Sequence, residues 1–93
     1  MTKVLLVINP EEGNIYFECL DHSSDHDTCT IVSTLCNVLI AECERIGVEP
    51  KLNGPQVRIQ ITDPGSETIE VFQCVDRVLK ACEEQNKRYI KVY

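Results

Sequence analysis

The chain has 93 residues, enough for one domain and too few for two. With 43% hydrophobic residues it can bury a modest core, and no apolar run reaches the roughly 18 residues of a membrane span, so neither a disordered acidic tail nor a membrane protein is expected. The formal charge of -6, from 15 acidic and 9 basic residues, argues against nucleic-acid binding, which needs a basic footprint, and suits a basic polypeptide partner.

Residues 2–8, "TKVLLVI", are β-branched and apolar and predict a strand. The same run resembles a signal sequence only superficially: it is short, and Glu11 and Glu12 follow where a small-residue cleavage site belongs. "NPEEGN" carries Pro10 and Gly13 and predicts a turn. "IYFECL" then alternates, with Ile15, Phe17 and Cys19 on one face, so the two runs form a hairpin. From Thr28 to Ile46 the period becomes helical, with Val32, Leu35, Leu39, Cys43 and Ile46 in one stripe; Gly47 is placed for a left-handed C-cap. Asn53-Gly54 marks a second hairpin. Before it Pro50 limits "VEPKL" to an edge strand; after it Val57, Ile59 and Ile61 alternate as a half-buried strand. "DPGSETIEVFQCVDRVLKACEEQ" predicts a second helix, capped through Ser66, Glu67 and Thr68 and buried along Ile69, Phe72, Val75, Leu79 and Cys82. "RYIKVY" is a closing strand. The fold class is α+β: two amphipathic helices on a mostly antiparallel sheet, in the order β-β-α-β-β-α-β.

Six cysteines are many for this length. Cys36, Cys43, Cys74 and Cys82 fall inside helical patterns, as core residues do, and no signal peptide is evident, so a reducing, cytoplasmic compartment is expected. Glu42 and Glu44 read as solvated helix face, and Tyr89 and Tyr93 as packing or edge residues.

The polar stretch "DHSSDHDTC", residues 21–29, admits three readings. Cys29 lies in the expected first turn of a helix, near the positive end of its dipole, with His22 and His26 upstream as candidate bases. His22, His26 and Cys29 with Asp25 or Asp27 are also donors that zinc accepts, although His-x3-His-x2-Cys is not a familiar structural-zinc spacing. The third reading is a solvated loop in which Asp27 or Thr28 caps the helix and Cys29 is half-buried. Cys29, Cys36 and Cys43 recur every seven residues, which places them on one side of the helix and favours packing for the last two.

Three segments resemble the ribosomal-processing cysteine proteases (Prp). "FECLDHS" is similar to the family's F-x-V-x-G-H-A, "CTIVSTL" to its C-A-A-V-S-A-L, and "NKRYIKVY" to its closing strand. The resemblance implies a single protease-like domain over 1–93, without a cofactor, that acts as a homodimer. It matches His22 to the catalytic histidine, Cys29 to the nucleophile and Ser33 to the serine four residues on. The implied partner is the N-terminal segment of a basic ribosomal protein, the large-subunit protein numbered twenty-seven, from which the family removes a short extension. Asp21 stands where the family has glycine, Ser23 where it has alanine. The loop from His22 to Cys29 is shorter than the family's. The family's aspartate three residues before the cysteine falls on His26, with Asp27 one place late; Asp21 is a candidate to orient His22. A non-catalytic peptide-binding relative and a zinc-binding module are the alternatives.

Overall fold

The computed structural model describes residues 1–21 and 23–93. Five strands and two helices follow the expected order: β1 (Thr2–Asn9), β2 (Asn14–Leu20), α1 (His26–Ile46), β3 (Lys51–Asn53), β4 (Gln56–Thr62), α2 (Ser66–Gln85) and β5 (Ile90–Val92). The sheet runs β3-β4-β2-β1-β5. Its β1–β2, β2–β4 and β3–β4 pairs are antiparallel and β1–β5 is parallel.

This order makes two interleaved crossovers. From β2 the chain passes through α1 to β3, skipping β4; from β4 it passes through α2 to β5, skipping β2 and β1. The reason is one-sided burial. Val4, Ile15, Phe17, Cys19, Ile59, Ile61, Ile90 and Val92 alternate along their strands and are buried, so one face of the sheet has to be covered. Val32, Cys36, Leu39 and Cys43 of α1 and Phe72, Val75, Leu79 and Cys82 of α2 cover it. Leu35, Ile46 and Ile69, read as buried stripe residues, pack on its margin.

The turns carry the local chemistry. Gly47 closes α1 at φ 75°, and Val48 N–H donates to Cys43 C=O at 2.8 Å, a Schellman stop. The β3–β4 turn is centred on Gly54-Pro55, one residue later than Asn53-Gly54 suggested, because Asn53 still pairs with Gln56. Gly54 has φ 59°, which suits the first central position of a type II′ turn, and the ring of Pro55 suits the second.

Four local expectations are corrected. The cap of α1 is Asp25, not Asp27 or Thr28: its carboxylate accepts from Thr28 N–H at 3.0 Å and from Thr28 Oγ1 at 2.8 Å. These bonds hold the Asp25 carboxyl below the usual carboxylate range. α2 begins after Gly65 with no side-chain cap; Ser66 is already helical. Cys74 is exposed rather than core, since it sits off the Phe72–Val75–Leu79 stripe. Glu42 is not solvated. It is 8% exposed and accepts from Arg45 Nε at 2.8 Å, Arg45 Nη2 at 2.6 Å and Thr68 Oγ1 at 2.8 Å.

The Glu42 network bolts α1 to α2 at a point where both helices lie over the sheet. Arg45, first, and Thr68 hold the Glu42 carboxyl below the usual range. A carboxyl depressed in the folded state contributes stability above its unfolded pKa of about 4.3, and that contribution disappears as pH falls through the lower folded value. Glu42→Ala leaves the buried Thr68 hydroxyl without its acceptor, so a loss of about 2 kcal/mol at pH 7 is expected. Urea titrations at pH 7 and pH 3 check this: the gap between wild type and variant narrows at pH 3.

Candidate active site

The site forms where the chain leaves the sheet for the helix layer. β2 ends at Leu20, and Asp21 turns the chain with φ 64°, the left-handed region that a non-glycine residue enters at a cost of about 1 kcal/mol. Ser23 Oγ then accepts from Asp25 N–H at 3.1 Å, and Asp25 caps α1. Thr28, fully buried, anchors this first turn, which sets Cys29 half-buried at its edge. The candidate histidine, His22, lies outside the described residues.

A cavity of about 180 Å3 opens beside Cys29. Asp21, Ser23, Cys29 and Ser33 line it from the loop and the first turns of α1. Thr2, Cys19 and Val57 line it from the strands, and Gly54 with Pro55 from the β3–β4 turn. Three of the residues singled out in the sequence (Asp21, Cys29 and Ser33) thus meet at one place. Asp27 does not join them: it is exposed in the first turn of α1, as is His26. Among the described residues, no group of three or more His, Cys, Asp or Glu side chains is placed to hold a metal ion. No described helix is long and apolar enough to cross a membrane.

Sequence reasoning missed the far wall. Cys36, Asn37 and Ile40 extend the lining along α1. Their spacing from Cys29 and Ser33 carries a helical signal, since 29, 33, 36, 37 and 40 share one face. The Gly54-Pro55 wall carries none, because only the sheet order brings β4 beside β2.

The first-turn amides are also committed. Cys29 N–H donates to Asp25 C=O at 2.9 Å and Thr28 N–H to the Asp25 carboxylate. These two donors complete the helix start and its cap. Neither is therefore available to stabilise an oxyanion.

The architecture is one shared with a ribosomal processing protease of known structure, the fold that the resemblance implied. The chain is similar to the ribosomal processing protease Prp from S. aureus, solved in complex with a covalently linked product peptide, with a TM-score of 0.76 and 21% identity over 99% of this chain and 97% of that one. It is also similar to SMU.848 from Streptococcus mutans, with a TM-score of 0.72 and 14% identity over 99% of this chain and 91% of that one. No family model matches the sequence, and no curated protein matches it.

Asp21 stands where the resemblance has glycine, and its left-handed backbone is a conformation that glycine adopts without strain. Asp21→Gly is expected to hold or raise the melting temperature, because relief of strain of about 1 kcal/mol offsets the added chain entropy. Asp21→Val, β-branched, should lower it. Thermal unfolding of the two variants beside wild type checks both signs.

Proposed function

We propose that the protein is a cysteine endopeptidase that removes the N-terminal extension of a large-subunit ribosomal protein. The observation that carries this reading is the position of Cys29, half-buried on the first turn of α1 beside a cavity, in a fold shared with a processing protease that holds a covalently linked product peptide. His22 takes the proton of Cys29, and the thiolate attacks the scissile carbonyl. The tetrahedral intermediate collapses as His22 returns the proton to the departing amine, and water hydrolyses the acyl-enzyme. The helix dipole favours the thiolate. Ser33, one turn on and lining the same cavity, supports Cys29, and Asp21 orients His22; Asp27, away from the cavity, has no part in the step.

Stabilisation of the oxyanion falls to donors other than the Cys29 and Thr28 amides, which Asp25 engages. That engagement is what favours the second reading, a peptide-binding relative of the same fold that holds its ligand without cutting it. In either case the excess of acidic residues suits a basic segment of a ribosomal protein. A cytoplasmic homodimer completes the proposal. The sheet face opposite the helices exposes Leu5, Val7 and Tyr93, the kind of apolar surface that a second copy covers.

The test is cleavage of the extended ribosomal protein from the same organism, read by mass spectrometry. Wild type should release one defined N-terminal peptide, and Cys29→Ala and His22→Ala should lose at least about a thousandfold in rate. Cleavage by Cys29→Ala at the wild-type rate would overturn the assignment. Binding without cleavage by all three would select the second reading. Asp21→Gly separates its two roles: full activity assigns the residue to the turn, a large loss to the orientation of His22.

A further inference from the structure

Cys29 shares its cavity with two more thiols. Cys19, from the inward face of β2, and Cys36, from α1, line the same space, and they are 3% and 8% exposed. Each thiol is the largest influence on the ionisation of the other, so the two stand next to each other across the strand–helix interface. The Cys36 thiol, as donor, favours the thiolate of Cys19, while its own thiol is pushed up.

We propose that Cys19 and Cys36 form a redox-modification site that closes reversibly to a disulfide in the presence of hydrogen peroxide. The Cys19 thiolate attacks one peroxide oxygen, giving a sulfenic acid and hydroxide. Cys36 sulfur then attacks the sulfenic sulfur, an S–S bond forms, and the oxygen departs as water. The two thiols together lose two protons and two electrons, and the peroxide, gaining them, becomes two waters.

The other thiols are less suited. Cys29 and Cys36 stand seven residues apart on one helix, a rise of roughly 10.5 Å, beyond the Cα separation of about 4.4–6.8 Å that a disulfide needs. Burial pushes the Cys43 and Cys82 thiols up, which suppresses their thiolates. Cys74 is exposed on α2, whose buried stripe faces away from it. The Cys19–Cys36 pair combines a favoured thiolate, an adjacent second thiol and a shared cavity open to a small oxidant.

The bond would staple the end of β2 to α1 two turns below Cys29, inside the candidate active site. The site is assigned independently of peptidase activity, and its chemistry is read directly. Wild-type protein is treated with hydrogen peroxide, denatured in iodoacetamide and digested with chymotrypsin, whose sites after Leu20 and Leu35 separate Cys19, Cys29 and Cys36. The expected product is a Cys19–Cys36 cross-link about 2 Da lighter than the two thiol peptides, reversed by dithiothreitol and retained in Cys29→Ser. Alkylation of both Cys19 and Cys36 after peroxide overturns the proposal, as does a Cys19–Cys29 bond. Because the decisive map is made on wild type, it stands whether or not a Cys36→Ser control folds; where that control folds, the cross-link must vanish.

Discussion

The structure depends on a sheet that buries one of its faces under both helices. Ile15, Phe17 and Cys19 of the central strand β2, with Val4 on one side and Ile59 and Ile61 on the other, cannot be left in water. Burying side chains of this size contributes about 1.5–3 kcal/mol each, more than any surface ion pair in the molecule can. Both helices must therefore lie on the same side, and each strand that feeds a helix must turn sharply out of the sheet. The left-handed residue after β2 is the local cost of that turn, and the position of Cys29 is its consequence. The cavity lies where the end of β2, the first turns of α1 and the β3–β4 turn meet.

The same constraint sorts the cysteines. Cys43 and Cys82 are small hydrophobes held away from water. Cys74 looks outward. Cys19 and Cys36 are buried yet border the cavity, and Cys29 stands half-buried at the helix start. One residue type takes on different chemistry because burial, hydrogen-bond partners and access to small molecules differ at each position. On the two proposals made for it, this site would carry acyl transfer at Cys29 and oxidation at the Cys19–Cys36 pair.

Low identity with the solved neighbours is compatible with a shared architecture for a related reason. An alternating strand pattern and a helical stripe specify layers and order, and many apolar residues satisfy them. Features that need a particular residue are few. The turn after β2 needs a residue that accepts a positive φ, the start of α1 needs a cap, and the helix pair needs partners for Glu42. Asp21, Asp25, and Arg45 with Thr68 supply these.

The sequence by itself determined the element order, both helix stripes, the stop at Gly47 and the edge strand after Pro50, because each rests on a local period or a single backbone preference. It also placed Cys29 in a first helical turn, with Asp21 and Ser33 near it. Only the tertiary structure decided the rest. Asp25 rather than Asp27 caps α1 because the cap belongs to whichever carboxylate the turn from β2 delivers to the Thr28 amide. Glu42 looks like any acidic helix residue until α2 brings Thr68 against it. Cys19 and Cys36 occupy unrelated positions in the chain, one in a strand and one in a helix, and neither period announces the other. Their meeting, like the Gly54-Pro55 wall, follows from a sheet order in which sequence neighbours are not spatial neighbours.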